Sequence, residues 1–356
     1  MGGVIPVAGK FTIEVASVKK SAACGGEQSV LDAFLREDIW VPHSCTQGTC
    51  GSCKIKVLGG TVDHRSSPLY TLSQEERDDS VALACQCAPV SDLTVEPINS
   101  FACDDRIPRH TLADYAGVIV GLEDIASSVR RLTVKLDAAM AFNPGQYVEI
   151  TVPGLGVRRQ YSISSNASDP STLAMDVKYT AGGAASEWLF ARASVGEEVA
   201  ITGPYGQFGL HAAQDEEVIM LAGGTGLAPM KSIITSVLAG GLAPKVYLYH
   251  GDREVLDLYD FEYFRDLDSA DDRFVFRPAV SRGVQSDGWE GRIGRVTDLV
   301  AEDFASCKGM SALVCGSPGF VDSAAKSLKR RRMAPRLIIR EEFTHAVPEP
   351  ADQLLN

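Results

Sequence analysis

With 356 residues the chain is too long for one ordinary domain and long enough for two or three. Hydrophobic residues make up 45% and charged residues 22%, values of a folded globular protein rather than a disordered one. The net charge of −12 argues against nucleic acid, whose phosphates require a basic face. No apolar run reaches the ~18 residues that a membrane span needs. The opening Met1–Lys10 lacks the basic and apolar regions of a secretory signal. The expectation is a cytoplasmic monomer with neither a membrane nor a nucleic-acid partner. In a reducing cytosol nine cysteines are poor disulfide staples, so a cluster of them points to metal or redox chemistry.

Along the chain, the alternating run Phe11–Val15 predicts a strand, and Ser29 can cap a short helix over 30–35. Lys54–Leu58 reads as a strand ending at Gly59 and Gly60, and Asp92–Val95 as a closing strand. The acidic group Glu75, Glu76, Asp78 and Asp79 is a solvated loop or a face for a partner. From Glu96 to about Leu112, Pro97 and Pro108 break the pattern into a linker. Strand signals then dominate from Gly117 to about Gly209: 118–120, 132–134, 147–150 and 161–163, between Pro and Gly punctuation, as in an antiparallel barrel. From Glu217 on, apolar runs at 218–222, 245–249, 273–276 and 312–315 alternate with amphipathic stretches near 227–239, 257–267 and 319–331. That alternation predicts a parallel sheet flanked by helices. Tyr259, Tyr263 and Phe264 read as helix core, and Lys329–Arg332 as a solvated helix end.

Seven of the nine cysteines lie within Cys24–Cys103. Cys45, Cys50 and Cys53 read C-x4-C-x2-C, and Cys85 follows after 31 residues, the plant-type spacing for a [2Fe–2S] cluster. The small polar loop Thr46–Thr49 lets backbone N–H groups approach the sulfides of the anionic cluster. Zinc is the rival ligand, but zinc knuckles favour paired C-x2-C motifs and the second pair is missing. Cys87 competes with Cys85 as fourth ligand; Cys24, Cys103 and Cys307 read as bystanders. Ser44–Cys53 together with Leu83–Gln86 resembles the N-terminal ferredoxin domain of bacterial oxygenase reductases.

Arg159-Gln160-Tyr161-Ser162 is an R-x-Y-S segment, and it resembles the flavin motif of the ferredoxin–NADP reductase superfamily. The resemblance implies Arg159 on a pyrophosphate, with Tyr161, Ser162 and Ile163 along the isoalloxazine. Arg offers phosphate a planar fork and Tyr offers the flavin a flat face. Downstream, Gly182–Ser186 is a glycine turn opening a helix, an anion-binding arrangement suited to a diphosphate. Gly203–Phe208 matches the superfamily's G-P-x-G-x-F turn. Gly183, Ala184, Ser186, Lys178 and Tyr179 join the implied flavin set, with FAD expected over FMN. Gly223-Gly224-Thr225-Gly226-Leu227-Ala228-Pro229 sits between a strand run and a helix, where a dinucleotide pyrophosphate binds. Pro229 stands in for the third glycine of the usual fingerprint and is tolerated in a first helical turn. Cys315-Gly316-Ser317-Pro318 resembles the superfamily's C-G-x-P, whose Cys lies near the nicotinamide, although a core thiol after Leu313 and Val314 is the other reading. Phe343 completes the implied cofactor set. Ser281 and Arg282 resemble a 2′-phosphate grip, yet Gly283–Trp289 lacks the Lys and Tyr that complete it and adds Asp287, while Asp252 lies where an acid meets a ribose. NADH is therefore expected, with NADPH as the alternative.

The resemblance spans about residues 10–345. It implies a multidomain fold: an α+β β-grasp ferredoxin-like [2Fe–2S] domain at 1–98, a linker at 99–111, an antiparallel β-barrel FAD domain at 112–210 and an α/β parallel-sheet nucleotide domain at 211–356. It implies the reductase component of a multicomponent oxygenase of phenol, toluene or ring-hydroxylating type. A hydride passes from NADH to FAD, with Cys315, Tyr161 and Ser162 at the reacting centre, and electrons leave singly through the cluster to a separate oxygenase. The rivals are a stand-alone diaphorase or flavin reductase and a non-enzymatic metal-binding interaction protein.

Overall fold

The computed structural model describes residues 9–98, 107–282, 289 and 291–344. They fall into two compact units: residues up to 113 with 204–207, and 114–203 with 208 onward. Most of the expected linker (99–106), Cys103 and the 283–288 stretch lie outside the described residues.

The first unit runs β1 (Lys10–Val15), β2 (Lys20–Gly25), α1 (Val30–Arg36), β3 (Lys54–Gly59), β4 (Val62–Asp63), α2 (Gln74–Asp78), β5 (Val81–Leu83), β6 (Ala88–Pro89) and β7 (Leu93–Pro97). Five strands form one sheet in the order β2-β1-β7-β3-β5, with β1–β7 parallel and the other neighbours antiparallel. β4 and β6 pair separately. Ser29 does cap α1: its Oγ accepts the Asp32 N–H at 3.1 Å. One face of α1 then buries Val30, Leu31, Phe34 and Leu35. The acidic group expected in a loop instead forms α2, which Ser73 and Glu76 open with a reciprocal capping box. Its charges are partly matched within the unit, Glu76 by Lys54 and Asp79 by Lys56 at 3.1 Å.

The second unit opens with β8 (Ala113–Ala126), β9 (Val129–Leu136), β10 (Tyr147–Thr151), β11 (Arg158–Ser162), β12 (Thr172–Lys178), α3 (Ala184–Ala191) and β13 (Glu198–Tyr205). They make a six-stranded sheet in the order β11-β10-β13-β8-β9-β12. Its two end strands meet through an isolated antiparallel bridge, Ile163 to Met175. Gly203–Tyr205, expected as a turn, belongs to β13, and the chain turns at Gly206 (φ +90°). The interior holds Ile119, Leu132, Val148, Ile163, Met175 and Trp188.

Next come β14 (Val218–Gly223), α4 (Leu227–Gly240), β15 (Val246–Asp252), α5 (Phe261–Ala270), β16 (Phe274–Val280), β17 (Arg292–Ile293), α6 (Val296–Asp303), β18 (Ser311–Gly316), α7 (Pro318–Arg330) and β19 (Ile338–Glu342). The sheet order is β17-β16-β15-β14-β18-β19 and every neighbouring pair is parallel. Helices α4 and α5 bury Ile233, Val237 and Phe264 against one face. Helices α6 and α7 bury Val300, Val321 and Leu328 against the other. The strand sequence runs outward from β14 in one direction and, from β18, in the opposite one. Such a reversal opens a crevice at the carboxyl ends of the two strands. Tyr259 and Phe264 are core, as expected, whereas Tyr263 is 41% exposed.

Candidate functional site

The cysteine loop joins α1 to β3. Its backbone curls through left-handed positions at Thr46, Gly48 and Gly51. A Cβ on Gly48 would come within 2.9 Å of the Gln86 side chain, so this curl depends on glycine. The four motif thiols meet in two pairs. Cys53 and Cys85 lie 3.1 Å apart, Sγ to Sγ. The Cys50 N–H donates to Cys45 Sγ at 3.4 Å, and the Ser52 hydroxyl donates to Cys50 Sγ at 3.2 Å. Hydrogen bonding from Cys50 draws the Cys45 thiol down to about 5, and the bond with Cys85 holds Cys53 below the usual thiol range. Cys87 is fully buried, and burial pushes its thiol up. Cys24 and Cys307 are buried free thiols.

Among the described residues no group of three or more His, Cys, Asp or Glu is placed to hold a single metal ion. Two thiol pairs are a different donor set, one that would suit a [2Fe–2S] cluster. His43, two residues before Cys45, was not singled out by the sequence, whose histidines show no ligand spacing. Its Nδ1 lies 2.8 Å from the Val41 carbonyl and its Nε2 accepts the Gly206 N–H at 3.2 Å, which fixes a neutral ring within the first unit.

On β11, Arg159 and Tyr161 point to one side and Ser162 to the other, opposite Tyr147. Tyr161 is half-buried, and burial pushes its hydroxyl up to about 12. The turn before α3 is built by Gly182 (φ +75°) and Gly183. Ser186 spends its hydroxyl on this turn, accepting the Thr180 N–H at 3.1 Å and donating to the Thr180 carbonyl at 2.9 Å. No side chain caps α3 at Gly183, and the adjoining Gly182 N–H donates to the Glu187 carboxylate at 2.9 Å. Tyr179 is 43% exposed and meets Phe190 edge-on at 5.4 Å. Lys178 ends β12, close enough to Asp252 to lower it electrostatically.

The glycine loop lies at the carboxyl end of β14. Gly223–Gly226 passes through a single 3-10 turn into α4, with Pro229 in the first turn. Each glycine has a steric reason. A Cβ on Gly226 would sit 2.3 Å from the Cys315 carbonyl, one on Gly223 would strike the Phe320 ring at 2.9 Å, and Gly224 has φ +55°. The loop therefore presses backbone to backbone against the end of β18, across the strand reversal. The Cys315 thiol itself is fully buried and raised by that burial. The Phe343 N–H donates to the Gly316 carbonyl at 2.8 Å, which brings that aromatic to the same edge. On the other side, the Ser281 N–H donates to the Asp252 carbonyl at 2.9 Å and the Arg282 N–H to the Arg253 carbonyl at 2.8 Å. Asp252 Oδ2 lies 3.7 Å from the Cβ position of Gly224, and burial raises its carboxyl.

The 2Fe-2S iron-sulfur cluster binding domain matches residues 13–90, the oxidoreductase FAD-binding domain 117–209 and the oxidoreductase NAD-binding domain 220–326. The reductase subunit of an aromatic O-demethylase from Amycolatopsis is 41% identical, over 94% of this chain and all of that protein. The chain belongs to this family of three-domain oxygenase-system reductases. The reductase component of phenol 2-monooxygenase from a Pseudomonas is 34% identical over 89% of each chain. The crystal structure of an Amycolatopsis cytochrome P450 reductase superposes with a TM-score of 0.87 at 40% identity, covering 95% of this chain and all of that one. The chain thus carries an iron–sulfur, an FAD-binding and an NAD-binding domain, and is an oxidoreductase. The paired thiols, the uncapped start of α3 and the steric demand for glycine at Gly226 fit those three groups. No described helix is long and apolar enough to cross a membrane.

Proposed function

We propose that this protein is the reductase component of a multicomponent oxygenase, taking electrons from NADH and delivering them singly to a separate oxygenase. The observation that carries the reading is the glycine loop packed on Cys315 at the strand reversal, in one compact unit with the R-x-Y-S strand. We take the domains as 1–98, 112–210 and 211–356, and the bridged six-stranded sheet as the expected barrel. One chain carrying all three modules fits a monomer, and its free thiols fit a reducing cytoplasm.

When bound, the nicotinamide, flavin and iron–sulfur groups supply hydride and single-electron chemistry. The protein supplies position and charge. Cys45, Cys50, Cys53 and Cys85 would hold the iron–sulfur cluster. Arg159 and the N–H groups after Gly183 neutralise the flavin diphosphate, while Tyr161, Ser162 and Ile163 shape the flavin wall with Lys178 and Tyr179 beside it. Gly223, Gly224, Thr225 and Gly226 receive the nicotinamide nucleotide's pyrophosphate, and Pro229 sits in the first turn of α4, where a missing N–H costs no helical bond. Cys315, Gly316 and Phe343 line the far edge of the crevice. Ser186 locks the turn rather than touching ligand.

Asp252 beside Gly224 favours a ribose hydroxyl and repels a 2′-phosphate, so the nucleotide is NADH despite Ser281 and Arg282. An acceptor among oxygenases acting on aromatic compounds is supported by relatives tied by name to an aromatic O-demethylase (41%) and to phenol hydroxylation (34%). The test is NADH-driven reduction of purified oxygenase components against free flavin. Saturable reduction of one component supports the reading. Turnover of free flavin alone would favour a stand-alone flavin reductase.

A further inference from the structure

Inside the second unit four charged side chains converge from separate elements. Arg131 on β9 faces Asp176 across the β9–β12 pair and grips it with two bonds, Nε–Oδ1 at 2.7 Å and Nη2–Oδ2 at 3.0 Å. The same guanidinium reaches Asp260, just before α5, at 3.2 and 2.7 Å. Lys231, in the second turn of α4, adds a bond to Asp260 at 2.7 Å. Side-chain exposure is 0% for Asp176, 12% for Asp260, 15% for Arg131 and 19% for Lys231. Two positive and two negative charges thus cancel in a nearly dry place. Burial raises the Asp260 carboxyl, but Arg131 and Lys231 outweigh it and keep it ionised.

Such a cluster is weak evidence for stability, because desolvating the charges offsets most of their attraction. Its better attested use is to specify one arrangement among several apolar packings. Two further facts agree. Asp260 sits at φ +53°, an uncommon left-handed position for a non-glycine residue, though one that Asp tolerates better than most. The cluster also reaches the chain just after the R-x-Y-S strand and the helix that follows the glycine loop. The Ser164 hydroxyl donates to Asp176 Oδ1 at 3.2 Å and the Ser164 N–H to the Ala174 carbonyl at 2.8 Å, immediately after Tyr161-Ser162-Ile163 and its bridge to Met175. At the other end, Lys231 lies one turn beyond the glycine loop.

We propose that Arg131, Asp176, Asp260 and Lys231 form an ionic clamp that sets the glycine loop in register with the R-x-Y-S strand, and that Asp260 is a positioning residue for hydride transfer. This rests on the reading of those two segments as the nicotinamide and flavin seats. The reaction moves one hydride, carrying both electrons, from the nicotinamide ring to the flavin. Its rate depends on how closely the two rings are held, and a misplacement near 1 Å costs up to about a hundredfold.

The test is Asp260→Asn, which keeps the side chain's shape and its tolerance of the left-handed backbone but removes the shared charge. Two readouts are needed on the purified, cofactor-loaded protein. In hydrogen exchange without nucleotide, the Ser164 amide and the amides of the second turn of α4 should both exchange about tenfold faster. In rapid mixing with saturating NADH, flavin reduction should slow about tenfold, equivalent to about 1.4 kcal/mol. The isotope effect from NADH deuterated at the transferring carbon should grow, with FAD content and NADH affinity unchanged. Native exchange and a native rate in this variant would overturn the clamp. If Asp260→Asn fails to fold, Lys231→Gln is read by the same two measurements, and native behaviour there overturns it equally. If NADH leaves the flavin of the native protein oxidised, the seats themselves are misread and the positioning role falls with them.

Discussion

The cysteine loop after α1 and the glycine loop after β14, the proposed seats of cluster and nucleotide, are built by opposite means. The first presents side chains: four thiols from Cys45, Cys50, Cys53 and Cys85, in two close pairs on a curled backbone. The second presents almost nothing but backbone, and its glycines are demanded by neighbours, the Cys315 carbonyl at Gly226 and the Phe320 ring at Gly223. A seat of side chains fails when a donor atom is lost, even in an intact fold. A seat of backbone fails when a single methylene intrudes, even with every polar group in place.

Cys45→Ser should show the largest effect and the cleanest separation. The iron–sulfur absorption and electron delivery to the oxygenase disappear, because one metal loses a thiolate. NADH-driven ferricyanide reduction continues, since it draws only on the second unit. A folded variant that also lost flavin reduction would break the separation of the two regions.

Gly226→Ala is the counterpart. The new methyl cannot coexist with the Cys315 carbonyl at 2.3 Å, so loop or strand must shift. Flavin reduction by NADH should fall about a hundredfold while cluster and FAD spectra persist. A native rate would show that the loop does not receive the nucleotide.

Arg159→Glu sharpens the comparison, because the flavin seat mixes both modes. Removing a charge-assisted phosphate contact costs roughly 2–3 kcal/mol before the added repulsion. The protein should purify depleted of FAD, with its cluster intact. Full FAD content would return the diphosphate to the N–H groups before α3 alone.

Acid should strain the second unit through His250, which is fully buried and pushed down to about 4 by that burial. The folded value lies below the unfolded one, so protons favour the unfolded chain. The contribution is complete above about pH 6.5 and is lost as pH falls toward 4, on the order of 3 kcal/mol in all. In thermal melts across that window the native protein should lose stability relative to His250→Phe as the pH drops. Parallel curves would refute a neutral buried ring.

The smallest expected change is at Arg282. NADH should exceed NADPH in kcat/KM by about tenfold or more, and Arg282→Ala should leave NADH use near native. An NADPH preference that collapses in this variant would transfer the choice of nucleotide from Asp252 to Arg282.

Much of this was legible in the residues because the chemistry is local. The C-x4-C-x2-C spacing, the Ser29 cap and the apolar runs of β14, β15, β16 and β18 each carry their signal within a few positions. Strands β2, β12, β13 and β19 were not legible: Lys20–Gly25 and Ile338–Glu342 are short and partly polar, and pairing with β1 and β18 makes them strands. The acidic run became α2 through a capping box whose Ser73 and Glu76 are ordinary residues in isolation. The bonds of the Ser186 hydroxyl to Thr180, which brace the turn before α3, also left no mark in the sequence. The Arg131, Asp176, Asp260 and Lys231 cluster left no trace, since its members are up to 129 residues apart and meet only in the folded unit.

The decisive measurement is an anaerobic titration of the purified protein with NADH, followed by visible absorbance. A reductase that passes electrons from nicotinamide through flavin to the iron–sulfur centre should bleach the flavin and iron–sulfur bands together, and addition of the oxygenase component should restore the iron–sulfur band. Bleaching of the flavin alone, with the iron–sulfur band unchanged at excess NADH, would contradict it.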